Sequence, residues 1–228
     1  MRPMNCAAST SPHTQRPRTS ATKNRWNSAP RAVPKASQER PRLQLPSPAI
    51  VRTGHLPRIP WKNRAGTTRE VAVFPGGAGP DNFSWRISVA DIGEDAAFST
   101  FPGTDRHFLL ATASTLTMDI GGTCRTATYG RPEAFPGDAA TTVRLSSGPT
   151  SAINLITKRA HCTGAVSVER HDGPFIPDVN AVALALLDGA AWIDSGESPE
   201  PLDFLMCGPT TERIHFKEAL VATFSVFP

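Results

Sequence analysis

Apolar and polar residues alternate through the middle of the chain, a pattern that is typical of β-strands. Two runs, residues 67–74 and 83–91, carry the pattern, and their alternate apolar members are Val71, Val73, Phe83, Trp85, Ile87 and Val89. Because successive side chains of a strand point to opposite faces, these residues share one face, and Arg86, Ser88 and Ala90 share the other. Further apolar runs at 107–112, 115–120, 140–145 and 152–158 predict more strands. The pattern therefore predicts an all-β fold, a barrel or sandwich with little helix.

The last third of the chain carries the same signals in a less regular form. Apolar runs at 179–187 and 190–193 flank Asp188-Gly189, a favoured two-residue turn, which predicts a hairpin there. The alanine content of this segment would equally allow a helix. Residues 201–207 and 213–227 are predicted to be the closing strands.

Two loops in the first half of the chain contain glycine and proline residues that favour particular loop conformations. The glycine-rich loop at 75–80 could suggest a phosphate-binding loop, but such a loop needs a helix start after its glycines, and here a strand follows. A long hairpin loop is the better interpretation. Phe101-Pro102-Gly103 predicts a tight turn, since proline presets the first corner and glycine tolerates the second.

Hydrogen-bond donors are concentrated on the two clearest strands. Arg86 and Ser88 share a face, and Thr67, Thr68 and Arg69 lie on the neighbouring strand. Several donors in fixed positions with few acceptors suit an anion, most simply a carboxylate held by a guanidinium group. The ordinary alternative is that this face is the solvated side of an antiparallel sheet.

Four blocks in this part of the chain, in consecutive order, resemble the signature of the HutD/Ves family. They are Trp61-Lys62-Asn63, Gly66-Thr67-Thr68-Arg69-Glu70, Trp85-Arg86-Ile87-Ser88-Val89-Ala90-Asp91 and Phe98-Ser99-Thr100-Phe101-Pro102-Gly103-Thr104-Asp105-Arg106. Similar segments follow at 135–138, 148–149 and 154–159, so that the resemblance covers roughly residue 50 to the C-terminus. Members of this family are bacterial bicupins, often associated with histidine utilisation, and are thought to bind a small acidic metabolite rather than to be established enzymes.

The resemblance implies a cupin-like double barrel with a ligand site. We expect a first barrel at about 50–150 and a second at about 151–228, with strand exchange between them allowed. The ligand implied is a small carboxylated metabolite of histidine breakdown, of the urocanate or formylglutamate type. The residues expected to bind it are Asn63, Thr67, Thr68, Arg69, Arg86, Ser88, Arg106 and Asn154. For the adjacent Asp105 and Arg106, pinning the turn and lining the pocket mouth are equally open.

Charge separates the N-terminal segment from the rest of the chain. Residues 1–50 contain nine Lys and Arg and one acidic residue, whereas the whole chain contains 24 basic and 20 acidic residues. Residues 51–228 therefore contain 15 basic and 19 acidic residues, a net charge of −4. A segment so polar cannot offset its ordering entropy, so residues 1–49 are predicted to be a disordered basic tail. It could be a transit peptide, a nucleic-acid-binding arm or the product of a start codon assigned too far upstream, and we favour the last. The body carries no basic stripe that would indicate nucleic-acid binding.

The remaining signals narrow the function classes. No run of 18 apolar residues and no secretory signal occur, which predicts a cytoplasmic protein without a membrane span. The four cysteines lie far apart, which favours free thiols over two long-range disulfides. No His-x-His pair and no Gly-x-Ser-x-Gly elbow are present, so we assign no metal, no cofactor and no catalytic residue.

Three functions stay open at this point. Ligand binding is the leading hypothesis; its rivals are a metal-independent enzyme acting on a small carboxylate and nucleic-acid binding through the basic tail. A homodimer formed by pairing of a sheet face with its copy is also open.

Overall fold

The computed structural model describes residues 49–208 and 213–228, and this part of the chain is almost entirely β-strand. Its strands are β1 (Ala49–Val51), β2 (Ile59–Pro60), β3 (Gly66–Phe74), β4 (Trp85–Ile92), β5 (Ala96–Phe98), β6 (Thr104–Leu110), β7 (Thr115–Ile120), β8 (Thr123–Thr128), β9 (Pro132–Pro136), β10 (Thr141–Leu145), β11 (Thr150–Lys158), β12 (Thr163–Phe175), β13 (Ala181–Ile193), β14 (Phe204–Met206) and β15 (Ile214–Phe227). A single 3-10 turn in the described residues spans Thr53–His55. The all-β prediction is confirmed, and the predicted tail lies outside the described residues.

The strands form three antiparallel sheets. A six-stranded sheet has the order β2-β3-β4-β11-β6-β9, a four-stranded sheet has the order β5-β10-β7-β8, and a five-stranded sheet has the order β1-β14-β13-β15-β12. β11, which follows the predicted boundary near residue 150, lies in the six-stranded sheet, and β1 pairs with β14 in the five-stranded sheet. The division into barrels at about residue 150 stays a prediction.

The six-stranded sheet is buried on both faces. Its inner face, defined as the face toward the four-stranded sheet, contributes Ala90, Phe108 and Ala152 to a core shared with Leu116 and Met118. Its back face, toward the five-stranded sheet, contributes residues such as Trp85, Ile87 and Val89 to a second core. Alternation along β4 therefore separates two cores rather than a core from solvent, so Arg86 and Ser88 in this strand are largely withdrawn from bulk water.

The five-stranded sheet bends over a core of its own. That core includes Leu184 and Ile193 from the two ends of β13, and Ile214 and Val221 from β15. Register shifts in β12 and β13 interrupt the pairing of these strands with β15. Bulges of this kind add an unpaired residue and increase the local bend.

The hairpin predicted at Asp188-Gly189 is wrong, and so is the alternative of a helix. β13 continues through both residues, with register shifts on either side of Asp188. Gly189 has φ +81°, and a Cβ at this position would lie 2.5 Å from the Glu218 carbonyl oxygen. One type of bulge uses the same left-handed glycine as a two-residue turn, so local sequence did not distinguish them.

Other local predictions are confirmed. β3 and β4 pair as a hairpin around the glycine-rich loop, and Gly103 adopts φ +73° in the Phe101-Pro102-Gly103 turn, where its N–H donates to Asp138 Oδ1 at 2.8 Å. The cysteines within the described ranges, Cys124, Cys162 and Cys207, are free thiols. No helix in residues 49–208 and 213–228 is long and apolar enough to cross a membrane.

Candidate anion-binding site

Arg86 and Ser88 of β4 lie on the inner face, between two sheets. Ala90 and Ile92, at the next alternate positions, belong to the core on that side. Ser88 is 5% exposed, and the Arg86 side chain is 16% exposed. This face is therefore not the solvated side of an antiparallel sheet, and its polar groups lie in an enclosed environment.

Strand register brings two further predicted residues to the same place. Asn154 of β11 is opposite Ser88, while Ile156 is opposite both Arg86 and Arg106. Directly opposed residues project to the same face of a sheet. The two arginines thus flank Ile156 in one row across three strands, and Ser88 and Asn154 form the next row.

Arg106 is a buried cation without a carboxylate partner in the part of the chain that the structure describes. The residue is 7% exposed; its Nε donates to Asn154 Oδ1 at 2.9 Å, and the guanidinium lies over the rings of Phe98 at 4.4 Å and Phe135 at 5.7 Å. Burial, and after it the charge of Arg86, lowers the pKa of Arg106 to about 9. The side chain is still charged at neutral pH, so the folded protein holds a desolvated cation that an anion would stabilise.

Arg86 lies closer to the surface and has an internal partner. Its Nη2 is 3.3 Å from Glu70 Oε2, and its guanidinium lies 5.9 Å from the centre of the Phe83 ring. Its Nε is buried without a hydrogen-bond partner among residues 49–208 and 213–228. The side chains of Glu70 and Arg86 are 41% and 16% exposed, and Arg106 as a whole residue is 7% exposed, so exposure to solvent decreases from Glu70 toward Arg106.

Thr67 and Arg69, two of the predicted ligand residues, lie on the back face. Their partners across β4 are Asp91 and Val89, at positions that alternate with Arg86 and Ser88. Arg69 Nη2 is 2.6 Å from Asp91 Oδ1, and its Nη1 donates to the Thr53 carbonyl oxygen at 3.3 Å. The structure therefore does not bring Thr67 and Arg69 together with Arg86, because neighbouring residues of a strand face opposite ways.

Thr68 faces inward but contacts the site only indirectly. It lies opposite Ala90, and its hydroxyl accepts a hydrogen bond from Trp61 Nε1 at 2.8 Å. The Trp61 ring meets Phe98 edge-on at 5.8 Å, and Phe98 in turn lies under Arg106. Thr68 thus helps to hold the aromatic support of the arginine.

Asn63 holds the turn before β3 rather than facing the arginines. Its Oδ1 accepts from the Ala65 N–H at 3.2 Å, and its Nδ2 donates to the Ala97 carbonyl oxygen at 3.4 Å. The side chain is exposed. Both of its contacts join backbone segments at the start of the sheet.

Asp105 and Arg106 turn out to have separate roles. Asp105 Oδ1 is 2.8 Å from Arg159 Nη1, and Arg159 also contacts Asp138, which pins the turn between β5 and β6 from outside. Hydrogen bonds from Arg159 and from the Gly103 N–H lower the pKa of Asp138. Arg106, one residue along, points inward, so pinning of the turn falls to Asp105, and a role of Arg106 at a pocket stays a prediction.

Several residues of the site were not predicted from the sequence. Glu70 lies opposite Ser88 on the inner face, and Phe98 and Phe135 line the guanidinium of Arg106. Phe83 was predicted to face away from Arg86 but lies beside it, since the strand begins only at Trp85 and its alternation does not extend to Phe83. Lys158 shares the alternate positions of Asn154 on β11, and its Nζ lies 5.7 Å from the Phe83 ring centre. Because residues 154, 156 and 158 alternate along one strand, the sequence could have predicted that Lys158 shares a face with Asn154. The aromatic contacts could not be predicted in this way, since they join strands that are distant in sequence. Within the described ranges, no group of three His, Cys, Asp or Glu side chains is placed to hold a metal ion.

Comparisons with known proteins agree with this architecture. The family model HutD matches residues 54–217. Protein Ves from Citrobacter koseri is 34% identical over 110 residues, and an uncharacterized 21.2 kDa protein in the hutC 3' region of Pseudomonas putida is 34% identical over 116 residues. Each match covers 47% of this chain and 56% of the relative, so the matched segment spans little more than half the length of these relatives.

Solved structures extend the likeness over most of the chain. The structure of HutD from Pseudomonas fluorescens has a TM-score of 0.64 at 26% identity and covers 78% of this chain and 97% of that protein. A cupin 2 conserved barrel domain protein from Leptotrichia buccalis, at 10% identity and a TM-score of 0.53, covers 82% of this chain and 99% of that protein, and shares the fold alone. The fold is thus a cupin-like double barrel, and the chain belongs to the HutD family.

Proposed function

We propose that this chain is a cytoplasmic small-molecule-binding bicupin that holds a carboxylated intermediate of histidine degradation and thereby tunes histidine utilisation. The observation that carries the proposal is Arg106, a buried guanidinium that no carboxylate of the described residues neutralises. Its free energy is raised by desolvation, and a bound carboxylate would relieve that cost.

The neighbours of Arg106 suit a carboxylate. Its Nε is engaged by Asn154, which leaves the two terminal nitrogens, the groups that bind carboxylates in a fork, without a hydrogen-bond partner in the described residues. Arg86 supplies a second guanidinium, and the Ser88 hydroxyl has no hydrogen-bond partner in residues 49–208 and 213–228. Donors therefore outnumber acceptors around the row of arginines, which favours an anion over a neutral ligand.

The names of related proteins support the metabolic assignment. One relative is described by its position in the hutC 3' region, and the structure of HutD from Pseudomonas fluorescens is that of a formate condition. The pathway and the identity of the ligand are part of our proposal.

Calorimetric titration with urocanate and with N-formylglutamate tests this function. We expect at least one of them to bind the wild-type protein and the Arg106→Met variant to lose on the order of 2 to 5 kcal/mol of binding free energy, because a buried ligand charge would lose its partner. Arg144→Gln, which removes an exposed arginine of β10, is the matched control and should bind normally.

Two results would contradict the proposal. One is binding that is unchanged in Arg106→Met; the other is a wild-type protein that binds neither compound nor any member of a panel of small carboxylates. Steady conversion of either compound during the titration would instead favour the metal-independent enzyme.

A further inference from the structure

We infer that the site selects carboxylates that also carry an N–H hydrogen-bond donor, and that Glu70 is the residue that recognises this donor. The inference rests on the proposed function, in which the ligand carboxylate binds at Arg106. It adds a second requirement on the ligand, at a position that lies one row away from the arginines.

The inner face carries two parallel rows of polar residues, and only the second row contains a side chain that can accept hydrogen bonds but not donate them. Arg86 and Arg106 flank Ile156 in the first row. In the second row, Glu70 of β3 lies opposite Ser88, and Ser88 lies opposite Asn154. The rows are two residues apart along the strands, or roughly 7 Å. A small molecule with a carboxylate at one end can span this separation.

The second row has unused acceptor capacity. Glu70 Oε2 is 3.3 Å from Arg86 Nη2, while Glu70 Oε1 makes no hydrogen bond within the described part of the chain. An ionised carboxylate accepts through both oxygens and cannot donate, so Oε1 can take an N–H while Oε2 keeps Arg86. The Ser88 hydroxyl, on the neighbouring strand, is free to accept or to donate beside it.

A role for Glu70 as a simple counter-ion of Arg86 accounts for less of this arrangement. The Glu70–Arg86 pair is partly exposed, and such pairs contribute little stability. A carboxylate at the entrance also repels ligand anions, which weakens binding unless a further contact with the ligand compensates. A ligand N–H provides that contact, since a hydrogen bond to a charged acceptor is stronger than one between neutral groups.

The chain offers a matched control for Glu70. Glu133 of β9 is also a carboxylate on the inner face, opposite Phe108, and its Oε2 is 3.4 Å from Arg125 Nη1. It lies at the far end of the second row, two strands beyond Asn154. Removing its charge changes the electrostatics of the barrel without removing the acceptor beside Ser88.

Two probes of equal length and charge test the inference by NMR titration of the full chain. N-acetyl-β-alanine has an amide N–H where 3-acetoxypropanoate has an ester oxygen. We expect the wild-type protein to bind the amide about tenfold or more tightly, which is the effect of one hydrogen bond to a charged group. Glu70→Met should reduce the preference to less than about twofold, and Glu133→Met should keep it.

The outcomes separate this inference from the proposed function. Equal affinity of the wild-type protein for both probes, or an amide preference that persists in Glu70→Met, overturns the inference and leaves carboxylate binding intact. Failure of both probes to bind a wild-type protein that binds urocanate or N-formylglutamate overturns the inference alone, whereas binding that is indifferent to Arg106→Met overturns the proposed function and the inference with it. Without an acceptor at Glu70, desolvation of the amide would go uncompensated, so a preference for the ester in Glu70→Met would support the assignment.

Discussion

Replacing Arg106 with methionine is expected to stabilise the unliganded protein while abolishing its ligand response. Methionine fills the space of the side-chain stem and contacts Phe98 and Phe135 well, since sulfur packs favourably against aromatic rings. It carries no charge that has to be desolvated. The substitution therefore separates the cost of the buried cation from the packing around it.

The magnitude follows from the pKa of Arg106. A pKa lowered from 12.5 to about 9 corresponds to a cost for the charged form on the order of 5 kcal/mol. The variant loses the hydrogen bond to Asn154, worth about 1.5 to 3 kcal/mol, and the contact with the Phe98 ring, worth about 1 kcal/mol. The balance is a gain of about 1 to 2.5 kcal/mol in the free energy of unfolding. For a domain of this size the midpoint temperature should rise by about 2 to 10 °C.

Arg69→Met provides the opposite case. Arg69 is as buried as Arg106, at 6% exposed, but it is paired with Asp91 at 2.6 Å and bonded to the Thr53 carbonyl oxygen. Removing Arg69 takes from Asp91 its shortest ion-pair contact and leaves it Ser151, Thr67 and the more exposed Arg58, so we expect a loss of about 3 kcal/mol, the low end for a broken buried pair. The two substitutions are chemically identical and differ only in the partner of the arginine.

Urea unfolding followed by tryptophan fluorescence, in a chloride buffer free of carboxylates and phosphate, measures both variants. Addition of a binding carboxylate should raise the midpoint of the wild-type protein and leave that of Arg106→Met unchanged. A loss of more than about 1 kcal/mol in Arg106→Met would refute the reasoning, since it would mean that the guanidinium is already compensated inside the protein.

Three further outcomes are expected. Burial lowers the pKa of His107 below 6.5, against the opposing effects of a nearby carboxylate and a backbone hydrogen bond. The folded protein therefore binds fewer protons than the unfolded chain, and the free energy of unfolding should fall as the pH drops below 6.5. In urea titrations, His107→Gln should make the free energy of unfolding less dependent on pH. Gly189→Ala should destabilise by more than about 2 kcal/mol because its Cβ would meet backbone at 2.5 Å, whereas Gly121→Ala, at φ +58° in open space, should cost about 1 kcal/mol in the same assay. Burial raises the pKa of Cys207 to about 12 while Cys124 is exposed, so alkylation at about pH 8 should label Cys124 and spare Cys207 by peptide mass spectrometry.

Much of the fold could be predicted from the local pattern of apolar and polar residues. Alternation correctly separated Trp85, Ile87 and Val89 from Arg86 and Ser88, because the side-chain period of a strand is fixed by backbone geometry. The Asp188-Gly189 segment was misread, since its glycine satisfies a backbone conformation that hairpins and bulges share. Which of the two forms depends on the neighbouring strand β15, which local sequence does not contain.

The site could be predicted only in part, because local sequence does not show which strands are neighbours. Arg106 and Asn154 were named through a family resemblance, and only register shows that they lie beside Arg86 and Ser88. Thr67, Arg69 and Glu70 illustrate the limit: a one-residue difference along β3 decides whether a side chain reaches the inner or the back face.

The sequence by itself determined that this protein is built of strands and which residues of each strand share a face, because those properties depend on a few consecutive residues. Tertiary structure decided that both faces of the central sheet are buried, and that Arg106 lies in the interior without a carboxylate from the described residues while Arg69 has one. Burial and charge pairing are set by strands far apart in the chain, and they give Arg69 an internal partner while the described residues offer Arg106 none.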